Sequence, residues 1–196
     1  MAFPGGVQES GMSENPTLVS STEIFKGKVF TVRRDRLRTG EKTYDLDIVE
    51  HAQSYAVMAR PSPGEVLLVK QYRHAASADL WEFPAGSADE DEDPKTGALR
   101  ELREETGYSA GRIEQIYAGY LTPGFCTEFM RFFVADDLQA GATQFDEDED
   151  IQTRCISIDE AFAMLRRGEI TDAKTALGLL LLTAHSCGSA RGELPG

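Results

Sequence analysis

Apolar and polar residues alternate over most of the first half of the chain, in the manner of half-buried strands. The alternation predicts strands at 30–37 and 44–49, joined by a hairpin turn at 38–41. A second pair of strands is predicted at 54–60 and 65–72, around a loop rich in proline and glycine. The first half is therefore expected to consist of paired β-strands.

The second half carries helix signals as well as strands. Asp93 is a good N-cap, and Pro94 suits the first helical position. Gly107 supplies a left-handed end, which predicts a helix over 94–106. Further elements are expected as strands at 113–120, 128–135 and 151–158, and as helices at 159–167 and 172–185, capped by Asp159 and Asp172. Strands around one central helix predict an α/β sandwich.

The two ends of the chain lack this periodicity. Residues 1–21 are rich in glycine, serine, proline and asparagine, and we expect them to be disordered. Residues 22–50 form a β extension, and 51–185 form the main domain. A disordered tail is expected at 186–196.

Composition and charge narrow the class of protein. A net charge of −13 argues against nucleic-acid binding, which needs a positive surface. The longest apolar run, 176–184, is too short to cross a membrane, and the first residues do not resemble a signal peptide. Three cysteines without paired spacing suit reduced thiols, which favours a cytoplasmic location.

The predicted central helix concentrates acidic side chains on one face. Glu101, Glu104 and Glu105 follow the spacing that brings helical side chains together, and they are expected to face solvent. Arg100 lies four residues before Glu104 and can hold its carboxylate. Charged helix faces are usually only solvated, but crowded carboxylates also suit Mg²⁺, which prefers hard oxygen ligands. The helix is therefore a candidate metal-binding element.

The helix and the loop before it carry a fixed motif. The segment 86–108 reads Gly, five residues, Glu, seven residues, then Arg-Glu-Leu-x-Glu-Glu-x-Gly-Tyr. This resembles the Nudix box of hydrolases that cleave a nucleoside diphosphate linked to another group with Mg²⁺ or Mn²⁺. The likeness extends over about 23–182 and is similar to the ADP-ribose pyrophosphatase branch, which has a proline sixteen positions beyond the box, as Pro123 is here.

The resemblance implies a fold and an assembly. It implies the Nudix fold, an α/β/α sandwich with a mixed sheet. It also implies a homodimer in which the N-terminal strands at 22–50 are exchanged between subunits. The alternative is a monomer whose sheet these strands simply extend.

The resemblance also implies roles in catalysis. Mg²⁺, with Mn²⁺ as a substitute, would be held by the carbonyl of Ala85 and by carboxylates. Those carboxylates are Glu101, Glu105, Glu149 and, as a further candidate, Glu104. Arg100 and Glu104 are candidate catalytic residues, and the cations would offset the negative charge that repels a pyrophosphate. The general base is Glu147 by position, with Glu149 as the alternative in the same acidic run.

The substrate implied by the resemblance is ADP-ribose, cleaved to AMP and ribose 5-phosphate. Candidate contacts are an arginine at a strand end, a tight turn and the strand start after it, and a stacking aromatic: Arg73, Thr122, Gly124, Glu128 and Phe30. Two alternatives stay open. One is another substrate, such as GDP-mannose or an oxidised nucleotide, and the other is a module that binds its ligand without cutting it.

Overall fold

The computed structural model of this protein describes residues 15–141 and 152–189, with side chains described as far as 185. Its strands are β1 (Thr17–Lys26), β2 (Phe30–Thr39), β3 (Lys42–His51), β4 (Ser54–Ala59), β5 (Glu65–Arg73), β6 (Ala78–Glu82), β7 (Ala85–Ser87), β8 (Tyr108–Tyr120), β9 (Phe129–Ala140) and β10 (Gln152–Ser157). The helices are α1 (Pro94–Thr106), α2 (Ile158–Arg167) and α3 (Ala173–Ser189), with a short 3₁₀ turn at His74–Ala76. None of the helices in the described ranges is long and apolar enough to span a membrane.

The N-terminal unit is an antiparallel sheet in the order β1-β2-β3. It comprises the described residues up to His51, together with Gly124–Thr127. Arginines of β2 face aspartates of β3, with Arg34 pairing with Asp47 at 2.7 Å. Complementary charges opposite one another help to set the strand register.

The second unit holds two further sheets and all three helices of the described chain. One sheet is antiparallel, in the order β10-β5-β6, and the other is mixed, in the order β7-β4-β9-β8 with β4 and β9 parallel. Every residue of β4 is buried. This is expected for a strand covered on both faces.

The alternation of β4 side chains divides the core into two clusters. Ala56 and Met58 point into the larger cluster, which α2 and α3 cover. Tyr55 and Val57 point the other way, where Leu102 of α1 packs against them. A mixed sheet therefore lies between helices, and the predicted α/β class with a mixed sheet is confirmed.

The structure corrects both predicted ends. Strand β1 begins at Thr17, so the disorder expected over 1–21 is wrong for 17–21. All ten side chains of β1 are exposed. Because the strand has no buried face, its sequence lacks the alternation of apolar and polar residues that would predict it. Helix α3 continues through Ser189, so the tail expected from 186 is also placed too early.

Several predicted boundaries also move. Helix α2 begins at Ile158, and its N-cap is Ser157 instead of Asp159, because the backbone N–H of Glu160 donates to Ser157 Oγ at 3.1 Å. The prediction of Asp172 as a cap is confirmed, since it accepts from the backbone N–H of Thr175 at 2.9 Å. Strand β8 begins five residues earlier than expected, and the short strands β6 and β7 carry no long alternation that would predict them.

Candidate active site

Helix α1 has the bounds that its end signals predict. The Asp93 side chain accepts the backbone N–H of Thr96 at 3.1 Å, which satisfies one of the free N–H groups of the first turn. Gly107 closes the helix with a φ of 74°, a conformation that glycine adopts without strain. The helix packs through its apolar face, which includes the fully buried Leu102. This packing fixes the direction in which its glutamates project.

Arg100 gathers the carboxylates of the loop and the helix around one guanidinium. It donates to both oxygens of Glu92 at 2.9 and 3.0 Å, to Glu101 at 2.8 Å and to Glu104 at 2.9 Å. It also donates to the carbonyl of Ser87 at 3.0 Å. The hydrogen bond from Arg100 is the main cause that holds the pKa of Glu92 below its usual value. The predicted pairing of Arg100 with Glu104 is confirmed, and Glu92 is an anchor for the loop.

Two of the three clustered glutamates are buried, contrary to the expectation of a solvent-facing site. Glu101 is 9% exposed and Glu105 is 4% exposed, whereas Glu104 is half-buried. The physical reason is that β7 lies against α1 on this side. The backbone N–H of Ala85 donates to Glu105 Oε2 at 3.2 Å. A helical wheel shows which residues share a face but does not show what packs on that face.

Gly86 lies against the carboxylate of Glu101. A Cβ atom placed on Gly86 would come closer than 3.0 Å to that carboxylate, a distance that real Cβ atoms essentially never show. The absence of a side chain at position 86 therefore leaves the space that the Glu101 carboxylate occupies. The main chain of β7 therefore packs directly against the carboxylates of Glu101 and Glu105.

Arg73 lies at the end of β5 and is paired with a buried acid. Its Nε and a terminal nitrogen donate to the two oxygens of Glu82 at 2.7 and 2.8 Å. Lys174 of α3 also donates to Glu82. Burial alone would raise the pKa of Glu82, but the hydrogen bond from Arg73 and the charge of Lys174 outweigh it and lower that pKa.

The model of the NUDIX domain matches residues 50–177. This chain belongs to the Nudix family.

Two curated relatives cover most of the chain. ADP-ribose pyrophosphatase of Bacillus subtilis (strain 168) is 35% identical over an alignment of 168 positions that covers 84% of this chain and 90% of the relative. GDP-mannose pyrophosphatase of Citrobacter koseri is 38% identical over an alignment of 197 positions that covers 89% of this chain and 98% of the relative. The family match and these two relatives together show that the chain is a Nudix hydrolase.

The fold matches that of a solved structure. A crystal structure of an ADP compounds hydrolase matches with a TM-score of 0.83 at 19% identity, over 93% of this chain and 100% of the other. The predicted Nudix fold is confirmed.

The donor set of the Nudix box suits a divalent cation. Glu101, Glu105 and the main chain of Ala85 offer hard oxygens, the ligands that Mg²⁺ and Mn²⁺ prefer. Among the residues with described positions, no three acidic, histidine or cysteine side chains form a complete cation site. Two predicted participants, Glu147 and Glu149, lie outside the described residues. Their roles stay predictions.

The other residues predicted to contact the substrate are divided between the two units. Glu128 accepts a hydrogen bond from Ser54 Oγ at 2.6 Å, and Thr122 is exposed after β8. Gly124 and Phe30 belong to the N-terminal unit, where Phe30 is exposed and its ring centroid is 6.2 Å from that of Phe25. The substrate roles of all four stay predictions.

Sequence reasoning assigned no role to four residues that hold the site together. They are Glu82, Glu92, Lys174 and Ser54. Glu92 is a defined position of the box, so the motif itself could have pointed to it. For Glu82, the available signal was an acid placed between Trp81 and Phe83 in an otherwise apolar segment. Lys174 and Ser54 meet partners 92 and 74 residues away, which no local pattern indicates.

Proposed function

We propose that this Nudix hydrolase cleaves the pyrophosphate of ADP-ribose, giving AMP and ribose 5-phosphate. The observation that carries the proposal is the buried pair Glu101 and Glu105, held against β7 and organised by Arg100. Buried carboxylates are costly unless a cation or a hydrogen bond compensates them. A site built to retain them therefore suits the chemistry of a bound divalent cation and an anionic pyrophosphate.

The cofactor that we propose is Mg²⁺, with Mn²⁺ as a substitute. Ala85, Glu101 and Glu105 would hold it, together with Glu149 and with Glu104 as a further candidate. When bound, such a cation withdraws charge from pyrophosphate oxygens and lowers the pKa of a water. Arg100 fixes the carboxylates of Glu101 and Glu104, so the chain supplies a pre-formed arrangement of negative charge.

Glu147 is the base that we propose, with Glu149 as the alternative. A base must take a proton from the attacking water and so needs a carboxylate that is not wholly engaged elsewhere. Glu104 is a third candidate because it is half-buried, but Arg100 already holds one of its oxygens. The acidic run at 146–150 supplies the other candidate carboxylates.

Arg73 is the residue that we propose for binding the pyrophosphate. Its side chain is 38% exposed, although two of its nitrogens are occupied by Glu82. A guanidinium carries five N–H groups, so it can bind one carboxylate and still donate to a phosphate oxygen. Thr122, Gly124, Glu128 and Phe30 would contact the rest of the substrate.

GDP-mannose is the second candidate substrate. The relative from Citrobacter koseri is named a GDP-mannose pyrophosphatase and is 38% identical to this chain. Both substrates share a nucleoside diphosphate joined to a sugar, so the metal-binding residues do not separate them. The base and the sugar are the parts that differ.

Product analysis tests the proposal and its alternatives together. The purified chain is incubated with Mg²⁺ and either ADP-ribose or GDP-mannose, and the products are separated by ion-exchange chromatography. We expect AMP and ribose 5-phosphate from ADP-ribose at the higher kcat/KM. Preferential release of GMP from GDP-mannose would assign the second substrate instead. Tight binding of ADP-ribose with no products would indicate a module that binds without cutting.

We also propose a homodimer in which the N-terminal strands are exchanged between subunits. The support is the exposure of large apolar side chains in the N-terminal unit, which a soluble monomer rarely presents together. They are Leu18, Val19, Ile24, Phe25, Val29, Phe30, Tyr44 and Leu46. Sedimentation velocity at micromolar concentration should give a dimer, and a fully active monomer would contradict it. A cytoplasmic location stays a prediction.

A further inference from the structure

A network of charged side chains around the buried Glu82 joins the start of α3 to the end of β6, beside the proposed pyrophosphate-binding residue. Glu82 is 1% exposed, and both of its oxygens accept from Arg73, at 2.7 and 2.8 Å. Lys174 donates to one of the same oxygens. One buried carboxylate is therefore shared by two cations.

Lys174 is held in place by the helix that carries it. It lies 3.1 Å from Asp172, which caps α3 by accepting the backbone N–H of Thr175 at 2.9 Å. Thr175 Oγ1 donates to Asp172 at 2.6 Å and accepts the backbone N–H of Phe83 at 2.9 Å. The first turn of α3 is thus bonded to the residues on either side of the Glu82–Phe83 peptide bond, and Lys174 has little freedom to move.

The sharing of Glu82 affects the charge that Arg73 presents. A carboxylate paired with one guanidinium alone offsets that positive charge almost entirely at close range. A second cation on the same carboxylate takes part of its negative charge, while Asp172, 3.1 Å from Lys174, keeps the group of two cations and two carboxylates neutral as a whole. Arg73 is the more exposed of the two, with 38% of its side chain accessible against 13% for Lys174. Arg73 is therefore the cation of this group that a substrate can reach, and sharing Glu82 with Lys174 leaves Arg73 less completely neutralised than an exclusive pair would.

The position of Arg73 connects this network to the box helix. The hydrogen bond with Glu82 is the main cause that raises the pKa of Arg73, and the charge of Glu105 contributes as well. Glu105 in turn accepts from the main chain of Ala85, three residues after Glu82. Arg73 thus lies in the electrostatic field of the proposed cation site.

We infer that Lys174 is a positioning residue for substrate binding, acting through Glu82 to orient Arg73 and to keep its positive charge available for a pyrophosphate. The inference rests on the proposed function, since it takes Arg73 as the residue that binds the substrate. Lys174 itself does not touch the substrate. Its removal leaves Arg73 as the principal partner of the buried carboxylate, which draws the guanidinium toward Glu82 and away from the phosphate.

Steady-state kinetics of Lys174→Met test this inference. We expect KM to rise about tenfold or more while kcat changes by less than about threefold, because the loss is in binding and not in the chemical step. Lys174→Arg, which restores a cation, should recover most of the affinity. Lys70→Met is the matched control, because Lys70 is also paired with an aspartate, Asp79 at 3.2 Å, but lies outside the network. Its KM should stay within about twofold of the wild-type value.

A double-variant comparison shows whether Lys174 acts through Arg73. Arg73→Gln alone should raise KM, and adding Lys174→Met to it should cause no further loss of kcat/KM. Losses that multiply in the double variant would overturn the inference. So would an unchanged KM in Arg73→Gln, or a lowered Tm with unchanged KM in Lys174→Met. If Lys174→Met does not fold, Lys174→Gln takes its place, because it keeps a hydrogen-bond donor without the charge.

The measurements separate this inference from the substrate assignment. They use whichever of ADP-ribose and GDP-mannose the wild-type chain cleaves, and the dissociation constant of both compounds is also measured by calorimetry in EDTA, where turnover is blocked. Failure of the proposed function appears in the wild-type protein as absence of products. Failure of the inference appears as equal dissociation constants for wild type and Lys174→Met.

Discussion

Gly86 lies directly against Glu101, whose carboxylate occupies the space that a side chain at position 86 would need. We expect Gly86→Ala to lower kcat/KM by about 100-fold or more, since it would displace the Glu101 carboxylate, which we propose as a cation ligand. The effect should appear in steady-state assays at saturating Mg²⁺.

Gly111→Ala in β8 provides the comparison for this variant. Its new Cβ atom would meet Asp137 at 3.1 Å, a contact that a shift of a few tenths of an ångström relieves. Activity should stay within about twofold of the wild-type value. Comparable losses in both variants would show that the Gly86 effect is general destabilisation.

Glu105→Gln should nearly abolish turnover while the protein stays folded. The amide keeps an oxygen that can accept the backbone N–H of Ala85, so the hydrogen bond at 3.2 Å has a replacement, but the negative charge that we propose to hold the cation is lost. Thermal unfolding and circular dichroism measure the fold, and a Mg²⁺ titration measures the metal requirement. Full turnover by folded Glu105→Gln at ordinary Mg²⁺ would remove Glu105 from the proposed cation site.

Arg100→Lys should lower both activity and stability. A lysine keeps the charge, but its compact ammonium lacks the planar geometry that reaches Glu92, Glu101 and the Ser87 carbonyl together. We expect kcat/KM to fall roughly 10- to 100-fold and the free energy of unfolding to fall by about 1–3 kcal/mol. Arg103→Lys on the exposed side of the same helix is the control and should change neither.

The ionisation of Glu82 predicts a pH dependence of stability. Its folded-state pKa lies below its ordinary value of 4.5, so its stabilising contribution is complete above about pH 4.5 and is lost as the pH falls through the folded-state pKa. Glu82→Gln should lower the free energy of unfolding by roughly 3 kcal/mol at pH 7, because two cations lose their shared partner. The difference from wild type should shrink below pH 4.

Urea unfolding from pH 3 to pH 8 measures this difference. Glu169→Gln is the matched control, since Glu169 also has a lowered pKa from pairing with Arg167 but lies at the surface. Surface pairs contribute little, so this variant should follow the wild-type curve. A wild-type to Glu82→Gln difference that is the same at pH 3 and pH 7 would contradict the assignment.

Glu147→Gln tests the proposed base. The substitution is nearly isosteric and leaves the residues of the box untouched, so kcat should fall about 10²–10⁴-fold while substrate affinity changes little. Glu149→Gln should instead raise the Mg²⁺ concentration needed for activity. Near-normal kcat in Glu147→Gln, or rescue of its loss by added Mg²⁺, would move the base to Glu149 or Glu104.

The sequence by itself determined the features whose signals are local. The bounds of α1 follow from Asp93, Pro94 and Gly107, because caps act within one turn of the helix. The contact of Arg100 with Glu104 follows from the four-residue spacing for the same reason. The motif at 86–108 then identified the family and the mixed α/β fold.

The tertiary structure alone decided which charges are buried and which partners they meet. Glu101 and Glu105 lose their exposure only because β7 packs beside α1, and no helical spacing encodes that neighbour. Lys174 reaches Glu82 across 92 residues because sheet order and the docking of α3 bring them together. Helix caps and the periodic spacing of side chains depend on a few adjacent residues, whereas burial and long-range ion pairs depend on the packing of the whole domain.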